Sequence, residues 1–173
     1  MKKYIIVTGG AGFVGSNLIE LFLKKTNKKI LSIDDYSSGF TRNHIKNTRI
    51  KYLKAKTVNI NKILLKYRNQ IDSLFHFAEF SRIYQSFKNF NKCFESNSKG
   101  TQIVFKFCLD NRIKLIYSAT SASLGNKGQD KNLSPYAFTK SKNLELLENL
   151  RKWFNFKFEV VYFYILIKFD LYL

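Results

Sequence analysis

A chain of 173 residues has the size of one globular domain, which excludes a two-domain enzyme of ordinary dimensions. Hydrophobic residues at 45% and charged residues at 24% match a folded soluble domain and exclude disorder, collagen and coiled coil. The net charge of +18 raises nucleic acid as a partner, but only six of the 30 basic residues are arginines and the lysines are scattered in pairs, so no nucleic-acid partner is expected.

Short apolar runs alternate with longer amphipathic stretches, the pattern of βαβ units and an α/β doubly wound parallel sheet of about six strands. The first strand is Tyr4–Val7, an apolar run too short for a targeting segment, so a cytoplasmic location is expected. Between it and a helix over Gly12–Lys25 lies Thr8-Gly9-Gly10-Ala11-Gly12-Phe13-Val14-Gly15. Glycines at 10, 12 and 15 fit a dinucleotide fingerprint, and glycines at 9, 12 and 15 fit its wider variant equally. Under either reading the helix start offers free N–H groups and a positive dipole end to a phosphate. The second strand, Lys29–Ile33, ends in Asp34 and Asp35; Asp34 stands nineteen residues after Gly15, where a carboxylate is expected to hold the adenosine ribose. Two adjacent acids with no arginine before Arg42 favour NAD over NADP.

A third strand over Ile50–Leu53, a helix over Ile60–Tyr67 and a fourth strand over Ser73–Phe77 follow. One long helix or a broken pair spans Ile83–Asp110, in which Phe87, Phe90 and Phe94 have helical spacing and face core or a partner helix. After a fifth strand, Lys114–Tyr117, Ser134-Pro135 reads as the cap and first position of a helix running to Phe154, and a sixth strand covers Phe158–Phe163. The apolar stretch from Val160 onward is interrupted by Lys168 and Asp170 and falls short of the ~20 residues of a membrane span, so no membrane partner is expected. His44, His76, Cys93 and Cys108 have neither metal-site nor disulfide spacing.

Tyrosine and lysine recur at Tyr-x-x-x-Lys spacing four times, at 52/56, 84/88, 136/140 and 164/168. Only Tyr136 and Lys140 sit one turn apart at the start of a helix with a hydroxyl, Thr120, just past the preceding strand. An ammonium beside a phenol favours the phenolate, which suits general acid or base work on a sugar hydroxyl or ketone. Because ligands of an open parallel sheet bind at the carboxyl ends of its strands, Thr8, Asp34, Phe77, Thr120 and the Pro135 helix start are expected to converge.

The segments Thr8–Asn17, Ile33–Gly39, Leu74–Arg82, Ser96–Thr101, Tyr117–Gly125 and Ser134–Glu145 together resemble the NAD-dependent epimerase/dehydratase family of extended short-chain dehydrogenases/reductases, close to UDP-glucose 4-epimerase-like enzymes. The resemblance implies a Rossmann domain over residues 1–164 that binds NAD. It makes Tyr136 the acid/base, Lys140 the residue that tunes it and places the nicotinamide ribose, and Thr120 the hydroxyl that orients substrate. It further places Gly9, Gly12, Phe13, Val14, Gly15, Asp34, Asp35, Asn59, Ile60, Phe77, Ala78 and Asn97 around the cofactor, and Ser81 and Arg82 against the substrate.

The implied reaction is nucleotide-sugar 4-epimerisation, with a UDP-sugar as substrate and a homodimer as assembly. Three departures stand out. Asn59 replaces an aspartate near the adenine, Ser121-Ala122 replaces the Asp-Glu of dehydratases, and Glu79 replaces a glycine, bringing a carboxylate toward the path of the substrate phosphates. The match breaks after Tyr164, so residues 165–173 are expected to be an aberrant apolar tail replacing a seventh strand and the small C-terminal substrate domain. A truncated, catalytically inactive dinucleotide-binding fragment is the alternative reading.

Overall fold

The computed structural model describes residues 3–121 and 125–163; the expected apolar tail and the Tyr164/Lys168 pair lie outside them. Six parallel strands form one sheet in the order β3-β2-β1-β4-β5-β6. They are β1 (Tyr4–Thr8), β2 (Lys29–Asp34), β3 (Ile50–Lys54), β4 (Ile71–His76), β5 (Lys114–Thr120) and β6 (Phe158–Phe163). The chain winds outward from β1 to β3, then crosses back to β4 and continues the other way. This reversal leaves a crevice beyond the carboxyl ends of β1 and β4, the place where such sheets bind ligands.

Alternation along β1 sets the two layers. Ile5 and Val7 join Ile19 of α1 (Phe13–Lys25) and Ile30 on one face, whereas Ile6 enters the larger core on the other, with Leu31, Leu74, Leu115 and Tyr117. That larger core is covered by α2 (Ile60–Leu64), α5 (Thr101–Asp110) and α6 (Pro135–Phe154).

Several boundaries differ from the sequence expectation, β4 beginning two residues earlier, at Ile71. The helix after Asn59 is α-helical only to Leu64 and tightens into 3₁₀ turns over Leu65–Gln70. The Ile83–Asp110 stretch is a broken series: α3 (Ile83–Lys88), α4 (Phe90–Phe94), a π-helical turn at Glu95–Gly100, then α5. Gly100 closes that turn beside Thr57, where a Cβ would lie 2.4 Å from Thr57 Oγ1. β5 runs on to Thr120, carrying that hydroxyl on the strand itself.

The α6 helix has the expected limits. Ser134 Oγ accepts from Ala137 N at 3.0 Å, Pro135 follows, and Asn155 ends the helix with φ 51°.

Candidate functional site

A cavity of about 1110 Å³ opens beyond the carboxyl ends of the central strands. Gly9, Gly12, Phe13, Val14 and Gly15 line one end, with Asp34 and Asp35 beside them. Phe77, Ala78, Ser81, Arg82, Thr120, Tyr136 and Lys140 line the remainder.

The glycine turn resolves the two motif readings. Gly9 has φ 74°, and a Cβ there would stand 2.7 Å from the Phe77 carbonyl carbon, so only glycine lets the turn pass beneath β4. Gly15 gives the first turn of α1 room against the Gly9 carbonyl oxygen, 2.2 Å from where its Cβ would be. Gly10 faces away from the cavity, against the Ser32 side chain. The cavity-lining set is therefore 9, 12 and 15, while Gly10 serves helix-to-sheet packing.

Asp34 is buried at the end of β2, and both its oxygens are held by backbone donors. Ala11 N reaches Oδ2 at 2.9 Å and Tyr36 N reaches Oδ1 at 2.8 Å. The carboxylate thus has a fixed position at the cavity wall, and the exposed Asp35 accepts from Ser37 N at 2.8 Å.

The Tyr136 helix start is locked from two sides. Tyr136 N donates to Ser86 Oγ at 3.3 Å, and Thr139 Oγ1 donates back to Tyr136 O at 2.9 Å. Thr120, Tyr136 and Lys140 are all nearly buried yet line the same cavity.

Lys140 lies on the cavity floor with a partner that the sequence did not suggest. Its Nζ contacts Glu79 Oε2 and the Ser118 carbonyl, with side chains only 5% and 2% exposed for lysine and glutamate. Glu79 lines the same cavity, but its side chain is buried against the lysine: an isolated buried charge is costly, and the ammonium gives it a partner.

The other Glu79 oxygen accepts from Thr101 Oγ1 at 2.9 Å, Tyr117 OH at 3.0 Å and Asn143 Nδ2 at 3.1 Å. His76 continues the network, its Nε2 lying 2.9 Å from Thr101 Oγ1 and its Nδ1 2.7 Å from Thr8 Oγ1. Burial holds His76 down at about 4, so the ring is neutral at pH 7. Burial and the neighbouring Glu79 carboxylate push the Tyr117 phenol well up, keeping it a donor.

Three expected cofactor residues fall outside the cavity lining. Asn59 is exposed at the start of α2, and Ile60 is fully buried in the larger core. The 3₁₀ turn Thr57–Asn59 rotates the chain so that Lys56, Thr57 and Val58 face the cavity instead. Asn97 is buried behind the loop after β4, where it accepts from Phe80 N at 2.6 Å and donates to Phe80 O at 3.0 Å. It shapes the wall without forming it. The spacing of Asn143, one turn beyond Lys140, was the available signal for a shared face; nothing in the sequence pointed from Glu79 to Lys140.

Among the described residues no helix is long and apolar enough to cross a membrane, and no group of three His, Cys, Asp or Glu side chains could hold a metal ion.

Residues 5–167 match the model of the NAD dependent epimerase/dehydratase family. The chain is 32% identical over 131 residues to the dTDP-D-glucose 4,6-dehydratase of Dictyostelium discoideum, covering 70% of this chain and 30% of that protein. It is 22% identical over 160 residues to the UDP-glucose 4-epimerase of Streptococcus mutans, covering 86% and 46% respectively. The crystal structure of UDP-glucose 4-epimerase from Brucella ovis in complex with NAD superposes with a TM-score of 0.82 at 19% identity, over 94% of this chain and 52% of that one, which shows a shared fold. The chain spans about half the length of relatives such as the Streptococcus enzyme.

Proposed function

This chain belongs to the NAD-dependent epimerase/dehydratase family, and from that premise we propose that it is a nucleotide-sugar epimerase of the 4-epimerase type acting on a UDP-sugar. The carrying observation is the convergence of the glycine turn, Asp34, Thr120, Tyr136 and Lys140 on one cavity at the sheet's switch point. The residues fit a dinucleotide. Gly9 and Gly15 keep the backbone clear of any Cβ, the α1 start presents its N–H groups to a pyrophosphate, and Asp34 stands where a ribose diol is held.

The glycine turn and Asp34 would hold NAD, which would supply a reversible hydride acceptor, so that net redox would be zero. Tyr136 takes the proton of the C4 hydroxyl and later gives it back to the same oxygen. Thr120, at the end of β5, orients that hydroxyl, and Lys140 supplies the positive charge that favours the phenolate. Ser81 and Arg82, exposed at the cavity mouth, suit the substrate diphosphate, because a guanidinium binds phosphate oxygens in a bidentate fork. Ile83, Tyr84, Phe87 and Phe90 leave an exposed apolar face on α3 and α4, which suits a homodimer that sedimentation would reveal.

The test incubates the purified chain with NAD and UDP-glucose and follows UDP-galactose. Turnover that vanishes in Tyr136→Phe is the expected result, and turnover retained in that variant overturns the assignment. A second reading, a dinucleotide-binding unit without turnover of its own, draws on the chain spanning about half the length of these relatives. NAD binding without product would favour it.

A further inference from the structure

We propose that Glu79 is a positioning residue for the Tyr136–Lys140 pair, its buried carboxylate holding the Lys140 ammonium at the cavity floor; this deepens the reading above and rests on it for the role of Lys140.

The geometry has three parts. The Glu79 carboxylate is saturated: one oxygen takes Lys140, and the other takes Thr101, Tyr117 and Asn143. Those donors come from α5, β5 and α6, so the carboxylate is clamped by the elements that carry the reacting side chains and cannot follow Lys140 if the lysine moves. A lysine ammonium has three donors. Glu79, the Ser118 carbonyl and the Ser118 hydroxyl at 3.3 Å surround the ammonium, and Lys140 still lines the cavity.

The neutral state of His76 matters here. Thr101 has one hydroxyl proton, which it gives to Glu79, so His76 must donate from Nε2 to Thr101 and accept at Nδ1 from Thr8. Each link then has one direction, and the chain Thr8–His76–Thr101–Glu79–Lys140 joins the end of β1, where the glycine turn begins, to the floor beneath Tyr136. No part of it carries a second charge that competes for the lysine. Without the carboxylate, a 5% exposed ammonium would keep only neutral partners among the described residues, the Ser118 oxygens and the Tyr117 ring 4.8 Å away. It would either swing toward solvent through the cavity or lose its proton. Both outcomes displace the charge that Tyr136 and a ribose hydroxyl require.

The test has one arm without cofactor and one with it. In the first, the cofactor-free protein is reductively methylated and the labelling of Lys140 is read by mass spectrometry against Lys142, an exposed lysine two residues away. Wild-type Lys140 should resist labelling, and Glu79→Gln should raise its relative rate about tenfold or more. Thr101→Val, which removes a different partner of the same carboxylate, should leave Lys140 protected. Equal labelling in the two variants would mean general loosening of the network and would overturn the proposal, as would an unchanged rate in Glu79→Gln.

In the second arm, NAD affinity is measured calorimetrically for Glu79→Gln, Lys140→Met and the double variant. Glu79→Gln should weaken binding about tenfold, and the double variant should bind no more weakly than Lys140→Met alone. Additive losses would sink the idea that Glu79 acts through Lys140. If Glu79→Gln does not fold, the double variant, which removes both charges, should fold; failure of both would show that Glu79 serves the core independently of the lysine. A wild-type chain that binds no NAD would refute the proposed function, while the labelling arm would still decide the role of Glu79.

Discussion

At the glycine end of the cleft the contacts are made by backbone, over separations of 2 and 23 positions for the two donors to Asp34. Ala11 N and Tyr36 N hold Asp34, and the turn passes from β1 into α1 within a few residues. At the tyrosine end the decisive contact joins Lys140 to Glu79 across 61 positions, and the carboxylate's other partners come from helices and a strand scattered through the chain. A backbone cradle tolerates side-chain change but not added Cβ atoms. A buried ion pair tolerates Cβ changes but not loss of one partner. The two ends should therefore fail differently when perturbed.

The largest separation is kinetic. Tyr136→Phe should lower turnover about 10³-fold, the range for a general acid/base, while NAD affinity by calorimetry stays near wild type. Tyr84→Phe, at an exposed tyrosine of the same Tyr-x-x-x-Lys spacing, should leave both unchanged. Reversal of these two results would put the chemistry at another end of the molecule.

Stability comes next. Glu79→Ala leaves the buried Lys140 without its carboxylate and should cost about 3–5 kcal/mol, read as a fall of roughly 10 °C in the melting midpoint. A loss below about 1 kcal/mol would show that the pair is not a true buried ion pair.

Acidification probes the same network through His76. Its folded value of about 4 lies below the ordinary 6.5, so the unfolded chain binds the proton more readily. The stability linked to a neutral His76 is present above about pH 6.5 and is lost as pH falls toward about 4, by roughly 3 kcal/mol in total. His76→Gln should flatten that part of the stability–pH curve, measured by urea unfolding at successive pH values.

At the glycine end, Gly9→Ala forces a side chain into a positive-φ position against β4 and should weaken NAD about a hundredfold by calorimetry. It should leave the Lys140 labelling rate unchanged, which sharpens the independence of the two ends. Smallest is Asp34→Asn, expected to weaken NAD about tenfold and to narrow the preference over NADP, because one charged acceptor becomes a neutral one. Equal affinity of the wild type for both cofactors would remove the argument from Asp34.

The sequence by itself determined the alternation of strands and helices, the glycine turn, Asp34 at a strand end and the Ser134-Pro135 start that singles out Tyr136 and Lys140 from the other tyrosine–lysine pairs. All of these depend on local spacing, on backbone conformations open to few residue types and on hydrophobic period, which act over a few residues. Only the tertiary structure decided which way side chains turn where the chain tightens. The 3₁₀ turn before α2 took Asn59 to the surface and Ile60 to the core, and the π turn placed Asn97, expected to line the cofactor pocket, behind the loop after β4. Glu79 is the plainest case. Read alone it was a misplaced charge, and its inward turn depends on an ammonium, two hydroxyls and an amide that converge on it only when β4, β5, α5 and α6 pack. The field at a buried site is summed over neighbours in space, and sequence spacing carries no record of those neighbours.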